Sequence, residues 1–411
     1  MTDAAANRPT LLVLASTYPR WRDDPEPGFV HELCKRLAVR FRVIAVVPDA
    51  PGADPSGELE GVEVVRYRYA PRRWQRLVND GGIVTNLKRS PWMWMLVPGF
   101  IFSQYLAAGR LMKHRSIDVI HAHWLIPQGL VARRLCRHLP YVVTSHGGDL
   151  FGLRGRLLTA IKRRVAKDAA ALTVVSSAMR EECERLDIRP RRITVLPMGV
   201  DLSVRFTATD DAAREPDRML FVGRLVPKKG LRHLLDALPL ILRERPQAKL
   251  DIAGFGPEEP ALRAQAQRLG IEECVRFLGA LPQPELPTLY RKAAVFVAPF
   301  IRDASGNQEG LPVALMEALG CGCPVVVGRV AGVEDLLGEA ARELAVDPTD
   351  PQALAHAVLR TLADPEQARQ QARDVFQGAA SRVNWSNVAA GYTNVLLEAM
   401  ETQAPPEASA Q

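Results

Sequence analysis

The chain has 411 residues, of which 47% are hydrophobic and 24% charged, and its formal net charge is +7. These proportions are those of a soluble globular protein, and the length favours two domains over one. The modest positive charge suits an anionic substrate, an anionic membrane surface or nucleic acid. It is spread along the chain without a recognition motif, so a nucleic-acid-binding function receives little support.

The cysteines and the N-terminus indicate the compartment. The six cysteines are scattered and form no C-x-x-C pair, which is typical of reduced thiols in a cytoplasmic protein. Cys321 and Cys323 are close in sequence, but no matching Cys or His pair accompanies them, so we expect no metal site. The first ten residues are polar and lack the apolar segment of a signal peptide, so we expect no signal peptide.

The first half of the chain alternates short apolar runs with segments of helical periodicity. The runs predicted as strands are residues 11–15, 41–47, 62–66, 117–122, 141–144, 170–176 and 193–197. Continuous apolar strands separated by helices are typical of parallel sheets covered on both faces. This pattern predicts a doubly wound α/β domain.

Polar residues after these strands are candidates for ligand binding. Gly28 precedes a predicted helix, where it allows a ligand to approach the backbone or simply completes a turn. His146 follows the strand 141–144 and precedes two glycines, and ligands bind at the carboxyl ends of such strands. His121 and His123 are spaced like metal ligands, but no third ligand follows. We therefore expect a structural or substrate-positioning role for that pair.

Residues 66–115 interrupt the alternation of strands and helices. Several arginines and lysines precede an apolar stretch, residues 90–109, that contains Trp92 and Trp94. The stretch approaches the length of a membrane span, but Pro98 and Gly99 interrupt it and strands of one sheet lie on both sides. Two interpretations stay open, an interfacial segment on an anionic membrane and helices that pack on the sheet.

The second half repeats the strand–helix alternation. Its predicted strands are residues 219–223, 249–253, 275–278, 293–300, 324–327 and 343–346, and helices follow near 350–380 and 386–400. The loop after the first of these strands is bounded by Gly223 and Gly230 and carries Arg224 and Lys229. Basic side chains on such a loop suit a diphosphate, although a solvated basic turn is the alternative. The turn 254–257 lacks the third glycine of a dinucleotide fingerprint, because residue 259 is Glu.

Residues 303–324 hold two further carboxylates beside a predicted helix start. Glu309 lies in a polar loop, and Gly310, Leu311 and Pro312 begin the predicted helix, where Pro suits the first turn and free N–H groups suit an anion. Glu317 is surrounded by apolar residues in that helix. A buried carboxylate is costly unless it has a partner or faces a ligand. Two carboxylates and an anion site are the groups that a nucleotide sugar requires.

Motifs in both halves of the chain, taken in order, resemble those of one family. In the second half these motifs are GRLVPKKG (223–230), GFGP (254–257), FLGAL (277–281) and Glu309-x7-Glu317. In the first half they are TSHGGD (144–149) and the segments 17–33, 121–129 and 196–201, each of which is similar to its counterpart in the family. Together they resemble the retaining nucleotide-sugar glycosyltransferases of glycosyltransferase family 4. The resemblance covers nearly the whole chain. It implies the GT-B fold, an α/β architecture of two Rossmann-like, doubly wound parallel-sheet domains that face a cleft.

The resemblance also implies roles for matching residues. Arg224 and Lys229 would hold the donor diphosphate and stabilise the departing phosphate, Glu309 would bind the transferred sugar, and His146 would contact that sugar near its reacting carbon. These four residues are the expected catalytic group. The expected donor-binding residues include Glu317, which would accept hydrogen bonds from the ribose, and Leu281, in a loop able to flank the base. The others are Gly28, Gly223, Gly310, Leu311 and Pro312. The family needs neither a metal nor another cofactor.

The sequence departs from the family pattern at two places, and the resemblance also implies domain bounds. The usual Gly-Gly-x-Pro-Glu turn is replaced by residues 331–335, in which Glu334 stands in place of the proline and Asp335 in place of the longer acid, and the segment at Gly28 lacks paired glycines. We expect an acceptor-side domain of residues 1–203, completed by a C-terminal helix 386–401. A donor-binding domain would span residues 204–385, and residues 402–411 would form a disordered tail.

The function implied is retaining transfer of a hexose from a UDP- or GDP-sugar to a cell-envelope, lipid-linked or polysaccharide acceptor. Residues 66–115 would contact an anionic membrane surface on the inner face of the cytoplasmic membrane. Two alternatives stay open at this point: a sugar-nucleotide epimerase of GT-B fold and a non-catalytic nucleotide-sugar-binding protein.

Overall fold

A computed structural model describes residues 8–24, 26, 28–78, 82–136, 138–209 and 214–402, and their contacts form two compact units. The first unit comprises the described residues up to Pro197 and those from Ser386 onwards. The second unit comprises those from Met198 to Trp385. Each unit is built around one sheet.

Eight strands of the described chain form the sheet of the first unit, in the order β3-β4-β2-β1-β5-β6-β7-β8. All neighbours pair in parallel except β3, which pairs antiparallel with β4. The strands are β1 (Thr10–Leu14), β2 (Arg42–Pro48), β3 (Ser56–Leu59), β4 (Val62–Tyr67), β5 (Val119–His123), β6 (Tyr141–Ser145), β7 (Ala171–Val174) and β8 (Ile193–Val195). The central strands are apolar along their whole length because helices cover both faces of a parallel sheet.

Helices follow most of these strands. They are α1 (Phe29–Leu37), α2 (Ile83–Arg89), α3 (Leu96–His114), α4 (Leu130–Leu135), α5 (Arg156–Asp168) and α6 (Ser177–Arg185). The long C-terminal helix α15 (Trp385–Glu401) contributes the residues from Ser386 to the same unit. Its Tyr392 is fully buried and donates a hydrogen bond to the Leu196 carbonyl, which fixes the helix to the first unit.

Six strands of the described chain form a second sheet, all parallel, in the order β11-β10-β9-β12-β13-β14. They are β9 (Glu215–Val222), β10 (Lys249–Ala253), β11 (Val275–Gly279), β12 (Ala293–Ala298), β13 (Val325–Gly328) and β14 (Ala345–Val346). The helices of this unit are α7 (Leu231–Glu244), α8 (Glu259–Leu269), α9 (Leu286–Lys292), α10 (Val313–Gly320), α11 (Glu334–Leu337), α12 (Ala341–Leu344), α13 (Pro351–Ala363) and α14 (Pro365–Val383). Two apolar clusters bury the faces of this sheet.

The prediction of two doubly wound parallel-sheet domains is confirmed. Three details differ from the sequence prediction. The edge strand β3 was not predicted, because its residues are exposed and lack an apolar run. The helix predicted near 350–380 is two helices. Pro365 interrupts the helical run, and the side chain of Asp364 caps the second helix, α14. The third is the helix predicted from Gly310, which begins at Val313; Pro312 lies outside it in an extended conformation.

The apolar stretch at 90–109 forms a short 3-10 turn (Pro91–Met95) and most of α3. One face of α3 packs on the sheet: Phe100 and Ala108 are buried, and Gln104 donates hydrogen bonds to the carbonyls of Ala15 and Val46. Gln104, which interrupts the apolar run in sequence, is therefore a link between helix and sheet. No described helix is long and apolar enough to cross a membrane.

Candidate active site

The main group of candidate residues lies where the second sheet reverses its strand order. Strand β9 pairs with β10 on one side and β12 on the other, so the connections after β9 and β12 run to different faces of the sheet. Such a switch point leaves a crevice at the carboxyl ends of the strands. The two loops that follow these strands, residues 223–230 and 299–312, meet there. The Ile301 amide donates a hydrogen bond of 3.0 Å to the Lys228 carbonyl.

Gly230 allows this close approach of the two loops. Its φ of +69° places it in the left-handed region, which favours glycine. A Cβ at this position would lie 1.7 Å from the Pro299 carbonyl oxygen. A side chain here would therefore push the loop of Lys229 away from the loop that leads to Glu309.

Two lysines and one carboxylate form the centre of the group. The Glu309 carboxylate lies 2.9 Å from Nζ of Lys228 and 3.3 Å from Nζ of Lys229. Burial alone would raise the pKa of Glu309, but the two ammonium groups outweigh it and lower that pKa to about 2. Glu309 is therefore ionised at neutral pH, and it partly neutralises the basic loop.

Lys229 is held by its surroundings on three sides. Its ammonium group lies 4.9 Å from the centroid of the Phe300 ring. The Lys229 stem also passes Gly223, where a Cβ would lie 3.5 Å from it, an ordinary van der Waals distance. Burial lowers the pKa of Lys229, and the Glu309 carboxylate opposes that shift. Arg224 lies on the same loop and adds to the positive field around Glu309.

The helix start beside Glu309 supplies further anion-binding groups. Gly310 and Pro312 are buried, Leu311 is half-buried, and α10 begins directly after them at Val313. The first N–H groups of a helix have no partner within it, and the helix dipole places positive charge there. The polar loop before it is fixed by Asp303, whose carboxylate accepts hydrogen bonds from Ser305 and from the Asn307 amide.

Glu317 lies one turn into α10 and is buried, with 4% of its surface exposed. Its carboxylate accepts a 3.0 Å hydrogen bond from the Tyr290 hydroxyl. Burial raises the pKa of Glu317 to about 7, although hydrogen bonds from Tyr290 and Gln283 lower it. Gln283 is two residues after Leu281, so the loop after β11 reaches the same carboxylate. Glu317 thus has protein partners and can change its charge near neutral pH.

His146 and Gly28 lie in the first unit. His146 follows β6, and its Nε2 forms a hydrogen bond of 2.9 Å with Nδ1 of His123, at the end of β5. The two rings are stacked, with an angle of 14° between their planes, and Phe29 of α1 packs on His146 at 5.0 Å. Burial lowers the pKa of His146 to about 3 and that of His123 well below its usual value, so both rings are neutral at pH 7.

Asp149 fixes the loop that carries His146. Its buried carboxylate accepts a hydrogen bond of 2.6 Å from the Leu125 amide and one of 2.8 Å from the Ser145 hydroxyl. These contacts connect the loops after β5 and β6. Gly28 immediately precedes α1, with φ of −91° and no atom within 4 Å of a Cβ built there. That conformation does not require glycine.

The surroundings of His121 and His123 indicate a structural role for this pair. Both side chains are fully buried, and Nε2 of His121 forms a hydrogen bond of 2.7 Å with the Thr144 hydroxyl. Within the part of the chain that the structure describes, no group of three or more His, Cys, Asp or Glu side chains is arranged to hold a metal ion. The sequence predicts a structural or substrate-positioning role for this pair, and these contacts agree with a structural one.

The structure therefore brings most of the candidates together within the second unit. Residues that the sequence did not indicate include Lys228, Tyr290 and Gln283 there, and Asp149 in the first unit. Lys228 adjoins Lys229 in the basic loop, so its proximity in sequence could have indicated it. Tyr290 could not be found in this way, because it contacts Glu317 from another helix and the two residues are 27 positions apart in sequence.

Comparisons with known proteins match both halves of the chain. Residues 29–204 match the family described as Glycosyltransferase Family 4, and residues 208–376 match Glycosyl transferases group 1. The D-inositol 3-phosphate glycosyltransferase of Frankia alni is 32% identical over 67% of this chain and 72% of its own length. A glycogen synthase of Mycobacterium tuberculosis is 28% identical over 92% of both chains.

Two further proteins extend the comparison. The GDP-mannose-dependent alpha-(1-6)-phosphatidylinositol monomannoside mannosyltransferase of Mycolicibacterium smegmatis is 35% identical over 55% of this chain and 62% of its own length. Among solved structures, the sucrose-phosphate synthase of Thermosynechococcus elongatus has a TM-score of 0.78 and 21% identity, over 96% of this chain and 100% of that one. At that identity the structural likeness concerns the fold.

Proposed function

This chain belongs to the family 4 glycosyltransferases of GT-B fold, and we propose that it transfers a hexose from a UDP- or GDP-sugar to a cell-envelope acceptor with retention of anomeric configuration. Family membership makes it a glycosyltransferase that uses nucleotide sugars. The base, the sugar, the acceptor and the retaining course are the parts that we propose.

The charge of the loop cluster in the second unit supports a diphosphate ligand. Arg224, Lys228 and Lys229 surround a single carboxylate, that of Glu309. The cluster therefore carries a surplus of two positive charges, which complements the charge of a diphosphate. Charge-assisted hydrogen bonds from Lys and Arg are the usual means of holding phosphate oxygens. This surplus at the switch point is the observation that carries the proposal.

The same cluster can stabilise the leaving group. As the bond between sugar and phosphate breaks, negative charge develops on the nucleoside diphosphate. Cations that are already in place for that charge lower the barrier, because they require no reorganisation during the reaction. We assign this role to Arg224 and Lys229, with Lys228 as a third cation, and we place Gly223, at the start of the same loop, beside the donor.

The remaining donor contacts follow from the residues around α10. Glu309 accepts hydrogen bonds from the transferred sugar, and the amides of Gly310 and Leu311 donate to sugar or phosphate, with Pro312 setting the start of the helix. Glu317 accepts from the ribose hydroxyls. Leu281, in the loop that also places Gln283 beside Glu317, flanks the base.

The first unit supplies the acceptor side in this proposal. Residues 1–203 with the helix 386–401 form the acceptor domain, and residues 204–385 form the donor domain. His146 contacts the donor sugar near its reacting carbon as a neutral imidazole, and Gly28 offers a backbone contact to phosphate or acceptor. We propose that the reaction needs no metal.

Relatives indicate two kinds of acceptor. The Mycolicibacterium relative is named for GDP-mannose and a phosphatidylinositol mannoside, whereas the Mycobacterium relative is named a glycogen synthase. We favour a lipid-linked saccharide, because α3 and the turn before it expose Trp92, Trp94 and Phe102 in the first unit. A cytoplasmic enzyme that meets the inner face of the membrane through residues 66–115 fits this acceptor.

Donor turnover and transfer in Glu309→Ala and Lys229→Ala test the site assignment. Each variant is expected to lose transfer by at least about a hundredfold, the usual effect of removing one electrostatic contact to the transition state. Lys249→Ala is a matched control, because this exposed lysine begins β10 at the opposite end of the sheet. Transfer near the wild-type rate in both site variants would contradict the assignment.

Two further measurements identify the donor and the reaction. A thermal-shift screen of UDP-, GDP- and ADP-sugars is expected to show stabilisation by one base, since a ligand that binds only the folded state raises its apparent stability. Product analysis without acceptor separates transfer from epimerisation, because an epimerase converts the donor alone.

A further inference from the structure

A groove of 1440 Å³ lies in the helical layer of the first unit. Its lining comes from α3, the short helix α4 and α5, with Tyr141 at the start of β6 and Arg191 in the loop before β8. His146, by contrast, follows the other end of that strand. The groove is therefore separate from the candidate catalytic residues of the same unit.

One wall of the groove is apolar, and its rim exposes aromatic side chains. Val97, Ile101, Phe102 and Tyr105 contribute one wall from α3. Phe102 is 60% exposed, and on the preceding turn Met95 is 81% exposed. Of the eleven large hydrophobic side chains that are exposed in the described chain, six fall between residues 92 and 106. Such a concentration marks a binding surface rather than ordinary scattered exposure.

Arginines without partners lie along the same groove. Arg134, Arg164 and Arg191 line it and are exposed, and their guanidinium groups form no hydrogen bond or ion pair with a described residue. Their sequence neighbours are paired instead: Arg133 with Asp168, Arg163 with Asp187, and Arg192 with Glu398. The only acid among the groove residues, Asp168, is the one used by Arg133. The groove thus keeps three unneutralised positive charges.

The sequence around α3 also lacks negative charge. No Asp or Glu occurs between Asp80 and Asp118. Arg110 and Lys113, by contrast, are exposed near the C-terminal end of α3. An apolar surface bordered by basic side chains and free of acids suits an amphiphile with an anionic head.

We propose that this groove binds an anionic phospholipid, with an acyl chain along the apolar wall of α3 and the lipid phosphate among Arg134, Arg164 and Arg191. The proposal rests on the membrane-surface part of the proposed function and gives that contact a defined site. It adds residues of α4, α5 and the loop before β8 to the basic stretch recognised in the sequence.

A second copy of the chain fits this surface less well than a lipid does. A two-fold interface places the same patch against itself, so it would bring the three unpaired arginines of each copy close to those of the other. Like charges in a desolvated interface cost several kcal/mol. A phospholipid instead supplies the missing anion and the apolar chain in one molecule.

The test uses dihexanoyl phosphatidylglycerol as a monomer, so that binding reports the groove and not a bilayer. We expect saturable binding by titration calorimetry of the full-length protein, and weaker binding of glycerol 3-phosphate, which lacks the chains. Arg164→Gln is expected to reduce affinity about tenfold, as for the loss of one charge-assisted hydrogen bond. Arg163→Gln, the adjacent arginine that pairs with Asp187, is the matched control and is expected to bind normally.

A variant of the apolar wall completes the test. Phe102→Ser is expected to weaken lipid binding about tenfold through lost burial of its ring, whereas Val204→Ser, at an exposed apolar residue of the second unit, is expected to have no effect. Equal affinity for the lipid and glycerol 3-phosphate, or equal affinity of the two arginine variants, would overturn the proposal. So would light scattering that shows a dimer dissociated by Phe102→Ser. Transfer to a water-soluble acceptor, measured in parallel, reports the proposed function independently.

Discussion

The Glu309 carboxylate lies 2.9 Å from the Lys228 ammonium group, although the two residues belong to loops that follow different strands. The loop of Lys228 follows β9 and the loop of Glu309 follows β12, and these strands are neighbours at the switch point of the second sheet. The contact places an anion of the protein among the cations that we assign to the donor diphosphate. Glu309 therefore holds the basic loop in place before the donor binds.

We expect Lys228→Ala to lower kcat/KM for the donor by about tenfold or more. The change removes one of three cations around the diphosphate, and one charge-assisted hydrogen bond to phosphate is worth about 1.5–3 kcal/mol. Initial-rate kinetics over a range of donor concentrations measure the effect. Lys249→Ala again serves as control, and a Lys228→Ala enzyme with wild-type kcat/KM would show that Lys228 only pairs with Glu309.

Replacement of Glu309 by Gln should separate donor binding from transfer. The amide keeps the size of the side chain but removes the anion that competes with the diphosphate for Lys228 and Lys229. We therefore expect the nucleoside diphosphate to bind as tightly as before or more tightly, while kcat falls at least about a hundredfold because the contact to the transferred sugar is weakened. Calorimetry and single-turnover transfer measure the two effects, and weaker nucleotide binding would contradict the proposed role.

The same substitution should change stability in a pH-dependent way. Lys228 and Lys229 lower the pKa of Glu309 to about 2 against the effect of burial. Its ionised form therefore stabilises the fold above pH 4.5, and this contribution is lost as the pH falls towards 2. The difference in Tm between wild type and Glu309→Gln is expected to be largest near pH 7 and to shrink by pH 3. A difference that is constant over this range would show that Glu309 stabilises the loop by packing alone.

Donor affinity should fall when the pH is lowered through neutrality, because Glu317 becomes protonated. Burial raises its pKa to about 7, and a neutral carboxyl group is a weaker acceptor for the ribose hydroxyls. We expect the Kd of the nucleotide-sugar donor, measured without acceptor, to be several-fold larger at pH 6 than at pH 8, and Glu317→Gln to abolish this dependence. The intact donor is used because the terminal phosphate of a free nucleoside diphosphate itself titrates at about pH 6. A pH dependence that survives in Glu317→Gln would assign the titration to another group.

Glu317 should also lower stability at alkaline pH. Its folded-state pKa lies above its ordinary value of 4.5, so folding becomes less favourable as the pH rises from about 4.5 to 7. Glu317→Gln is therefore expected to raise the free energy of unfolding at pH 8 by up to about 3 kcal/mol, with a smaller gain at pH 5. Urea unfolding at the two pH values measures this difference.

The sequence was sufficient for the fold because apolar runs and helical periods determine which faces are buried. The strands at 11–15 and 293–300 were placed within a few residues, since continuous apolar runs have few alternatives in a soluble protein. The basic loop and Glu309 were found because a motif marks them. The contacts between them were not, because the meeting of Lys228 with Glu309 depends on how β9 and β12 are ordered in the sheet. A one-dimensional pattern contains no such information.

The surroundings of Glu317 show a second limit. Its apolar neighbours in sequence correctly predicted that it needs a partner or a ligand, yet Tyr290 supplies one of its hydrogen bonds from α9. The pKa of about 7 then results from burial that only the folded chain creates. Similarly, the motif marked His146, but its hydrogen bond with His123 comes from the pairing of β5 with β6.

Gly230→Ala should disrupt the site without touching a ligand. The residue has φ of +69°, and an added Cβ would lie 1.7 Å from the Pro299 carbonyl. Backbone strain and the clash together are expected to cost at least about 2–3 kcal/mol. We expect a lower Tm and strongly reduced donor binding, because the loop of Lys229 must move. Gly270→Ala is a matched control, with φ of +65° but no atom within 4 Å of the added Cβ. An equal loss of donor binding in both variants would show that strain, not the contact between loops, is responsible.

His123 should act through His146, as a residue that orients the ring without touching the donor. One nitrogen of each ring shares the hydrogen bond of 2.9 Å, so the proton on that bond determines which nitrogen of His146 can donate or accept. We expect His123→Phe, which keeps the stacking but removes the hydrogen bond, to lower kcat about tenfold with little change in donor KM. His123→Asn, which can restore a hydrogen bond, is expected to recover part of the rate.

Because burial lowers the pKa of His146 to about 3, the rate of the wild-type enzyme should show no ionisation of this residue between pH 5 and 8. A His146-dependent step in the pH–rate profile of the wild type in that range, or a His123→Phe enzyme with normal kcat, would contradict this role.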